Sequence, residues 1–189
     1  MPRGWPLWPS PCPRALRPPP WPLALLLLTL AYWSLALRGP ISVGAWQDDA
    51  IYLATAKALA AGEGYRHLEI PGAPPQSKYP PLYPALLSLI WRAAPDYPQN
   101  LRWLLLPGAL SAAAFVALSI GYWRRFFAAK RVELCCVGAL AVLSPSLLSM
   151  LRFAMSDLLY AALALGGIAL LDAQVEARRA LREGEPGAA

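Results

Sequence analysis

Two adjacent carboxylates, Asp48 and Asp49, stand immediately before a run of helix-forming residues. A positioned carboxylate could take a proton from a substrate hydroxyl as a general base. The same residues would also cap a helix, because the amino-terminal dipole stabilises an anion by roughly 0.3–1 kcal/mol. Capping therefore explains one aspartate, and a catalytic role stays open for the pair. A third carboxylate, Asp157, lies at the edge of an apolar run, where acids are costly and often functional.

The sequence offers no set of metal ligands. His67 is the single histidine of the chain, and the three cysteines lack the spacing of a zinc site. We therefore interpret His67 as a loop residue and predict no metal ligands. Nothing in the residues supports a divalent metal or another cofactor.

A helix must position the acidic pair. Residues 50–61 are rich in alanine and leucine, the two acids precede them, and Gly62 follows them. We predict a helix of about 13 residues that lies along a membrane surface. Its expected apolar side consists of Ile51, Thr55, Ala58 and Leu59.

A second short helix is predicted over residues 79–91. This segment has 13 uncharged residues and includes three prolines, so it is too short to cross a bilayer, which takes roughly 20 residues. We expect it to lie in the interface, like the helix before it.

The composition is that of a membrane protein. Hydrophobic residues make up 57% and charged residues 15% of the chain, against about 45–50% and about 25% in soluble domains. Uncharged runs cover residues 18–37, 103–123 and 134–151, and a fourth run, 153–171, is interrupted only by Asp157. The sequence therefore predicts an all-α polytopic integral membrane protein with about four transmembrane helices.

The charges predict the sidedness of the chain. A short loop after the second apolar run contains Arg124, Arg125, Lys130 and Arg131, and short basic loops remain in the cytoplasm. The net charge is +6, but the basic residues form no stripe interleaved with aromatic residues, so we predict no nucleic-acid partner.

Three regions follow from this topology. Residues 1–20 are a cytoplasmic leader rich in proline and arginine, and residues 176–189 are a cytoplasmic tail. Residues 21–175 form the transmembrane domain, with a long first outer loop at 38–102 that carries both interfacial helices.

Several short segments resemble a known family. Residues 47–52 (Gln-Asp-Asp-Ala-Ile-Tyr), 58–65 and 78–84 (Lys-Tyr-Pro-Pro-Leu-Tyr-Pro) resemble the first outer loop of C-type (GT-C) glycosyltransferases. The resemblance continues through residues 100–103 and 152–157. Within that fold the chain is most similar to bacterial family 39-like enzymes, relatives of protein O-mannosyltransferases and of the lipid A aminoarabinose transferase.

The resemblance implies a role for five residues. Asp48 matches the catalytic acid of the family, Asp49 is its neighbour, and Asp157 matches a second outer acidic position. Lys78 and Arg102 match cations near the donor phosphate. These roles agree with the chemistry, since an acceptor hydroxyl needs a base and a departing phosphate needs positive charge.

The chain departs from the family pattern at three points. Tyr79 is inserted between Lys78 and the prolines, so the lysine side chain could point differently. Ser77 replaces a glutamate that helps to hold a metal in the aminoarabinose transferase. Family members are also several hundred residues long. We interpret this chain as an amino-terminal part of such an enzyme or as a shortened gene product, and its activity in isolation stays open.

The resemblance thus implies an inverting membrane glycosyltransferase in the inner membrane. It would transfer a sugar from a polyprenyl-phosphate-linked donor in the bilayer to an acceptor protein, lipid or glycan on the outer, periplasmic face. The alternative is a non-catalytic membrane subunit or transporter fragment. In that case Asp48, Asp49 and Asp157 would serve in capping or in ion contact, and Lys78 and Arg102 would be a solvated loop charge and an interfacial anchor.

Overall fold

The computed structural model describes residues 43–127 and 131–183, together with Ser34 and Arg38. Every regular element among these residues is a helix, which confirms the predicted all-α class. The helices are Gln47–Ala61 (α1), Leu82–Ala93 (α2), Leu101–Leu104 (α3), Leu106–Phe127 (α4), Arg131–Val142 (α5), Pro145–Met150 (α6) and Asp157–Glu183 (α7). The predicted leader, the predicted first span apart from Ser34, and residues 184–189 of the predicted tail lie outside the described residues.

Helix α1 forms where the sequence predicts it. Asp48 and Asp49 occupy its first turn, and Gly62 follows its last residue with a φ of 79°. This left-handed conformation is readily available to glycine, and it directs the Gly62 N–H to the carbonyls of Ala58 and Leu59. A glycine C-cap of this kind ends many helices.

The buried face of α1 agrees in part with the predicted apolar side. Thr55 and Ala58 are buried as predicted, whereas Ile51 and Leu59 are only partly buried. The buried face also includes Tyr52, Leu53 and Ala56. The difference arises because α1 packs along another helix of the chain, so its buried face is set by that neighbour.

The neighbour of α1 is the helix α2. Tyr52 contacts Tyr83 near the amino-terminal ends of the two helices, with ring centroids 5.5 Å apart. Arg92 donates a hydrogen bond to the Leu59 carbonyl near their other ends. The two helices therefore run side by side in the same direction, and their beginnings lie together.

Two described helical segments are long and apolar enough to cross a membrane, Leu101–Arg125 and Asp157–Arg179. Their mean hydropathies are 2.0 and 1.7. At 1.5 Å per residue they are about 37 and 34 Å long, which exceeds the roughly 30 Å of a hydrocarbon core.

These two long helices also run in the same direction. A Cβ on Gly166 would lie 3.6 Å from Leu118 Cδ1. Further along both helices, Tyr122 donates a 2.8 Å hydrogen bond to Asp172. At their far ends Arg125 pairs with Glu176. The beginnings of α4 and α7 therefore lie at one end of the pair, and their basic ends lie together at the other.

The apolar run 134–151 is divided instead of forming one continuous helix. α5 ends at Val142, Ser144 has an extended conformation with ψ of 122°, and Pro145 begins α6. Proline has no N–H to continue the helical hydrogen bonds and disfavours helical geometry at the residue before it. α5 alone is about 18 Å long at 1.5 Å per residue, so the run does not form the single membrane-spanning helix that its length predicts.

The divided segment nevertheless returns along α4. Leu134 shares a buried cluster with Val116 and Ile120, near the end of α4. Leu151 packs with Ala109 and Ala112, near the beginning of α4. The chain between α4 and α7 thus runs back along α4 in the opposite direction, with a bend at Pro145.

Candidate functional site

A chain of hydrogen bonds joins two of the predicted site residues through a third side chain. Lys78 Nζ donates to the Tyr79 hydroxyl at 2.6 Å, and the Tyr79 hydroxyl donates to Asp48 Oδ1. The bond to Asp48 links residues 31 positions apart. The structure therefore brings Lys78 and the amino-terminal turn of α1 together.

The loop before α2 holds this chain of bonds in place. The Lys78 backbone N–H donates to Gln76 Oε1 at 2.8 Å, and the Gln76 N–H donates to the Tyr65 carbonyl at 2.9 Å. The Tyr65 hydroxyl in turn donates to the Tyr79 carbonyl at 3.1 Å. Because the backbone on both sides of the Lys78 side chain is hydrogen-bonded, its attachment point is fixed while its ammonium group remains exposed.

The beginning of α7 reaches the same place. Tyr52, four residues after Asp48 on α1, hydrogen-bonds through its hydroxyl to Ser156 Oγ at 2.8 Å. Asp157 follows Ser156 and is the first residue of α7. The predicted outer acid Asp157 therefore lies one residue from a direct contact with α1.

Two carboxylates also act on the phenol of Tyr52. The pKa of Tyr52 is raised, and burial is the largest cause. The hydrogen bond with Ser156 opposes this rise, and the negative charges of Asp157 and Asp48 add to it. Both carboxylates thus act electrostatically on one phenol, which lies between the beginnings of α1 and α7.

Asp49 lies in different surroundings from its neighbour. Its side chain is fully buried, and Oδ2 accepts a 2.9 Å hydrogen bond from the Gly44 N–H. Oδ1 is buried with no hydrogen-bond partner among the described residues. Burial raises the pKa of the Asp49 carboxyl, and hydrogen bonds from nearby backbone N–H groups oppose that rise.

Arg102 is a predicted site residue that no described contact joins to the rest of the site. It lies on the short helix α3 with an exposed side chain, and none of the hydrogen bonds or ion pairs of the described residues joins it to Asp48, Lys78 or Asp157. It is nevertheless near the beginning of the long apolar segment Leu101–Arg125, at the same end of the helix pair as Asp157.

Sequence reasoning missed the three residues that connect the site: Tyr52, Tyr79 and Ser156. A signal existed for Tyr52, because residues four apart share one face of a helix and Tyr52 is four residues from Asp48. For Tyr79 the only sequence signal is its position as an inserted residue between Lys78 and the prolines, which does not predict its contacts. No sequence spacing indicates Ser156, which meets Tyr52 across 104 residues.

The arrangement supplies a carboxylate, a phenol and an ammonium group in contact. The hydrogen bond with Tyr79 is the largest cause that raises the pKa of the exposed Lys78 ammonium, so this group stays cationic. A carboxylate beside a lasting cation can accept a proton and hold an anion nearby. His67 bonds instead to Glu69 at 2.6 Å, and the described residues contain no group of three metal-ligating acids, histidines or cysteines.

Comparisons of the chain with protein-family models, with curated proteins and with solved structures found no match.

Proposed function

We propose that this chain carries the reaction site of a membrane glycosyltransferase, an enzyme that moves a sugar from a polyprenyl-phosphate-linked donor to an acceptor on the outer face of the inner membrane. The observation that carries the proposal is the convergence of Asp48, Tyr79 and Lys78 beside the beginning of α7. A base and a cation lie together next to apolar helices, where a lipid carrier would present its phosphate.

Asp48 is the general base of the proposed reaction. Its carboxylate accepts the proton of the acceptor hydroxyl as the hydroxyl oxygen attacks the anomeric carbon of the sugar. The bond from that carbon to the phosphate oxygen breaks, and the polyprenyl phosphate leaves with the bonding electrons. The attack comes from the face opposite the phosphate, so the configuration at this carbon inverts.

The cations act on the leaving phosphate. Lys78 and Arg102 are both exposed, and each would bind phosphate oxygens through charge-assisted hydrogen bonds. Positive charge placed where negative charge develops lowers the barrier to bond breaking. Asp157 is the second acid of the proposed site, and it directly follows Ser156, whose hydroxyl is hydrogen-bonded to that of Tyr52.

The directions of the helices support the sidedness in this proposal. If α4 and α7 both cross the membrane, their parallel arrangement requires the segment between them to return across it. The packing of Leu134 and Leu151 at opposite ends of α4 fits this return, and it supports four spans when the run 18–37 is included. The basic ends of α4 and α7 then lie in the cytoplasm, and the site lies on the outer face.

Donor binding tests the two cations. A polyprenyl-phosphate sugar with a short prenyl chain would be titrated against the chain in detergent. Replacing Lys78 or Arg102 with alanine should weaken binding roughly 10- to 100-fold, as expected for hydrogen bonds to a charged group. Lys57→Ala is the matched control, because Lys57 is an exposed lysine at the other end of α1.

Unchanged affinity in both Lys78→Ala and Arg102→Ala would show that these side chains do not contact the donor. If Lys57→Ala loses as much donor affinity as Lys78→Ala, the effect arises from general surface charge and not from contact with the phosphate.

A further inference from the structure

Tyr79 is held from three sides in the structure. Its ring lies 5.2 Å from the Tyr52 ring at an interplanar angle of 60°, its carbonyl accepts the Tyr65 hydroxyl, and its hydroxyl lies between Lys78 and Asp48. A side chain fixed at its ring and its backbone can hold its hydroxyl in one place.

We propose that Tyr79 is a positioning residue, whose hydroxyl holds the Asp48 carboxylate and the Lys78 ammonium in one directed chain of hydrogen bonds. The direction follows from the groups themselves. An ammonium group only donates and a carboxylate only accepts, whereas a phenol has one donor hydrogen and oxygen lone pairs. Lys78 must therefore donate to Tyr79, and Tyr79 must donate to Asp48.

The phenol separates the two charged groups. Lys78 and Asp48 form no direct ion pair among the described residues, and Tyr79 connects them instead. The phenol uses one N–H of the ammonium and one lone pair of the carboxylate. The carboxylate therefore keeps acceptor sites for a substrate hydroxyl and the ammonium keeps its other donors for an anion, while the phenol holds the two charged groups apart.

The chain of bonds also explains the inserted residue of the Lys-Tyr-Pro-Pro segment. Tyr79 separates Lys78 from Pro80, and its hydroxyl occupies the space between the loop and α1. The consequence for catalysis rests on the proposed function. The hydrogen-bonded chain itself does not, and it can be tested without any substrate.

The first test measures how fast Lys78 reacts with formaldehyde and cyanoborohydride near pH 9, by mass spectrometry of the protein in detergent. Lys57 is the internal reference in every sample. Tyr79→Phe keeps the ring and removes the hydroxyl. Because the Tyr79 hydrogen bond raises the pKa of Lys78, its loss should speed Lys78 methylation relative to Lys57, by about tenfold for each unit by which the pKa falls.

Two further variants rank the contributions. Tyr83→Phe removes a neighbouring hydroxyl that is buried without a partner among the described residues, so the Lys78 rate should stay at that of the parent. Asp48→Asn leaves the Tyr79 hydroxyl in place and removes a weaker electrostatic influence, so its effect should be smaller than that of Tyr79→Phe. The proposal is overturned if Tyr79→Phe leaves the ratio of the Lys78 and Lys57 methylation rates at the parental value. It is also overturned if Tyr83→Phe raises this ratio more than Tyr79→Phe does.

The second test concerns the reaction. Tyr79→Phe should lower kcat/KM for sugar transfer roughly 10- to 100-fold, because a hydrogen bond to a charged group is lost, while Tyr83→Phe keeps the parental value. Equal values for Tyr79→Phe and the parent overturn the positioning role. If the parent transfers no sugar from any polyprenyl-phosphate donor, the proposed function fails, and the lysine reactivity alone decides whether Tyr79 links the two charges.

Discussion

At the scale of single residues, Asp48 and Asp49 illustrate how one helical turn separates two identical groups. Consecutive helical residues point about 100° apart. Asp48 is half-buried and meets Tyr79, whereas Asp49 is fully buried and bonds to Gly44. These surroundings support the hypothesis that Asp48 is the base and that Asp49 organises the beginning of α1.

The buried Asp49 should make the stability of the fold depend on pH. Because burial raises its pKa above the ordinary value of 3.8, the folded chain binds this proton more tightly than the unfolded chain. The contribution is fully present below pH 3.8 and is lost as pH rises through the raised pKa. Asp49→Asn, which carries no charge, should therefore gain in thermal midpoint relative to the parent as pH rises from about 4 to about 7.

The measurement is thermal unfolding in detergent at a series of pH values. Asp96→Asn is the control, since Asp96 is exposed, and its difference from the parent should change less with pH. A difference between Asp49→Asn and the parent that stays constant with pH would contradict the effect of burial.

The sequence could nominate residues of the site but could not predict their partners. Asp48 and Lys78 are recognisable from short segments, because a carboxylate before a helix and a lysine before prolines are local patterns. The contacts of Tyr79 with Asp48 and of Tyr52 with Ser156 join parts of the chain 31 and 104 residues apart. Such contacts depend on how the helices pack, and no local pattern encodes them.

At the scale of elements, local chemistry predicted helix ends better than helix faces. The acids and Gly62 marked the ends of α1 because capping involves only neighbouring residues. The buried face of α1 depends on α2, and the sequence did not reveal that partner. Hydropathy alone predicts one span over residues 134–151 and does not indicate the break at Pro145, whereas proline is a local signal for a helix end.

Gly166 lies where α7 packs on α4. A Cβ at this position would be in ordinary van der Waals contact, 3.6 Å from Leu118 Cδ1, so the atoms that leucine carries beyond Cβ would have to displace the Leu118 side chain. Gly166→Leu should destabilise the fold by about 1–3 kcal/mol, the usual cost of overpacking. The neighbouring Gly167 has open space within 4 Å of its Cβ position, so Gly167→Leu should have little effect.

Chemical denaturation in detergent would compare the two leucine variants with the parent. Equal free energies of unfolding for Gly166→Leu and Gly167→Leu would contradict the packing of α4 on α7 through this glycine.

At the scale of the whole molecule, the parallel helices determine where the site lies. The residue before α7, Ser156, is hydrogen-bonded to Tyr52 of α1, and a Cβ on Gly108 near the beginning of α4 would lie 3.6 Å from the Tyr83 hydroxyl of α2. The far ends of α4 and α7 carry arginines. If the arginines lie in the cytoplasm, then the first outer loop 38–102 and Asp157 share the opposite face. The predicted sidedness and the observed packing are therefore mutually consistent.

Cysteine labelling of intact cells tests this sidedness. Single cysteines would be placed in a chain whose own Cys12, Cys135 and Cys136 are changed to serine. Positions 70–76 should react with an impermeant thiol reagent, and positions 126–129 should react only after the membrane is permeabilised. The reverse pattern would place the site in the cytoplasm and contradict an outer-face reaction.

We propose Asp48 as the base in sugar transfer, and a measurement of transfer itself tests this role most directly. Membranes that contain the chain would receive a polyprenyl-phosphate donor carrying a radiolabelled sugar, and label in the acceptor fraction would be counted. We expect transfer by the parent, a loss of about 10²- to 10⁴-fold in Asp48→Asn, and a smaller loss in Asp49→Asn. Near-parental transfer by Asp48→Asn, or a larger loss in Asp49→Asn than in Asp48→Asn, would contradict it.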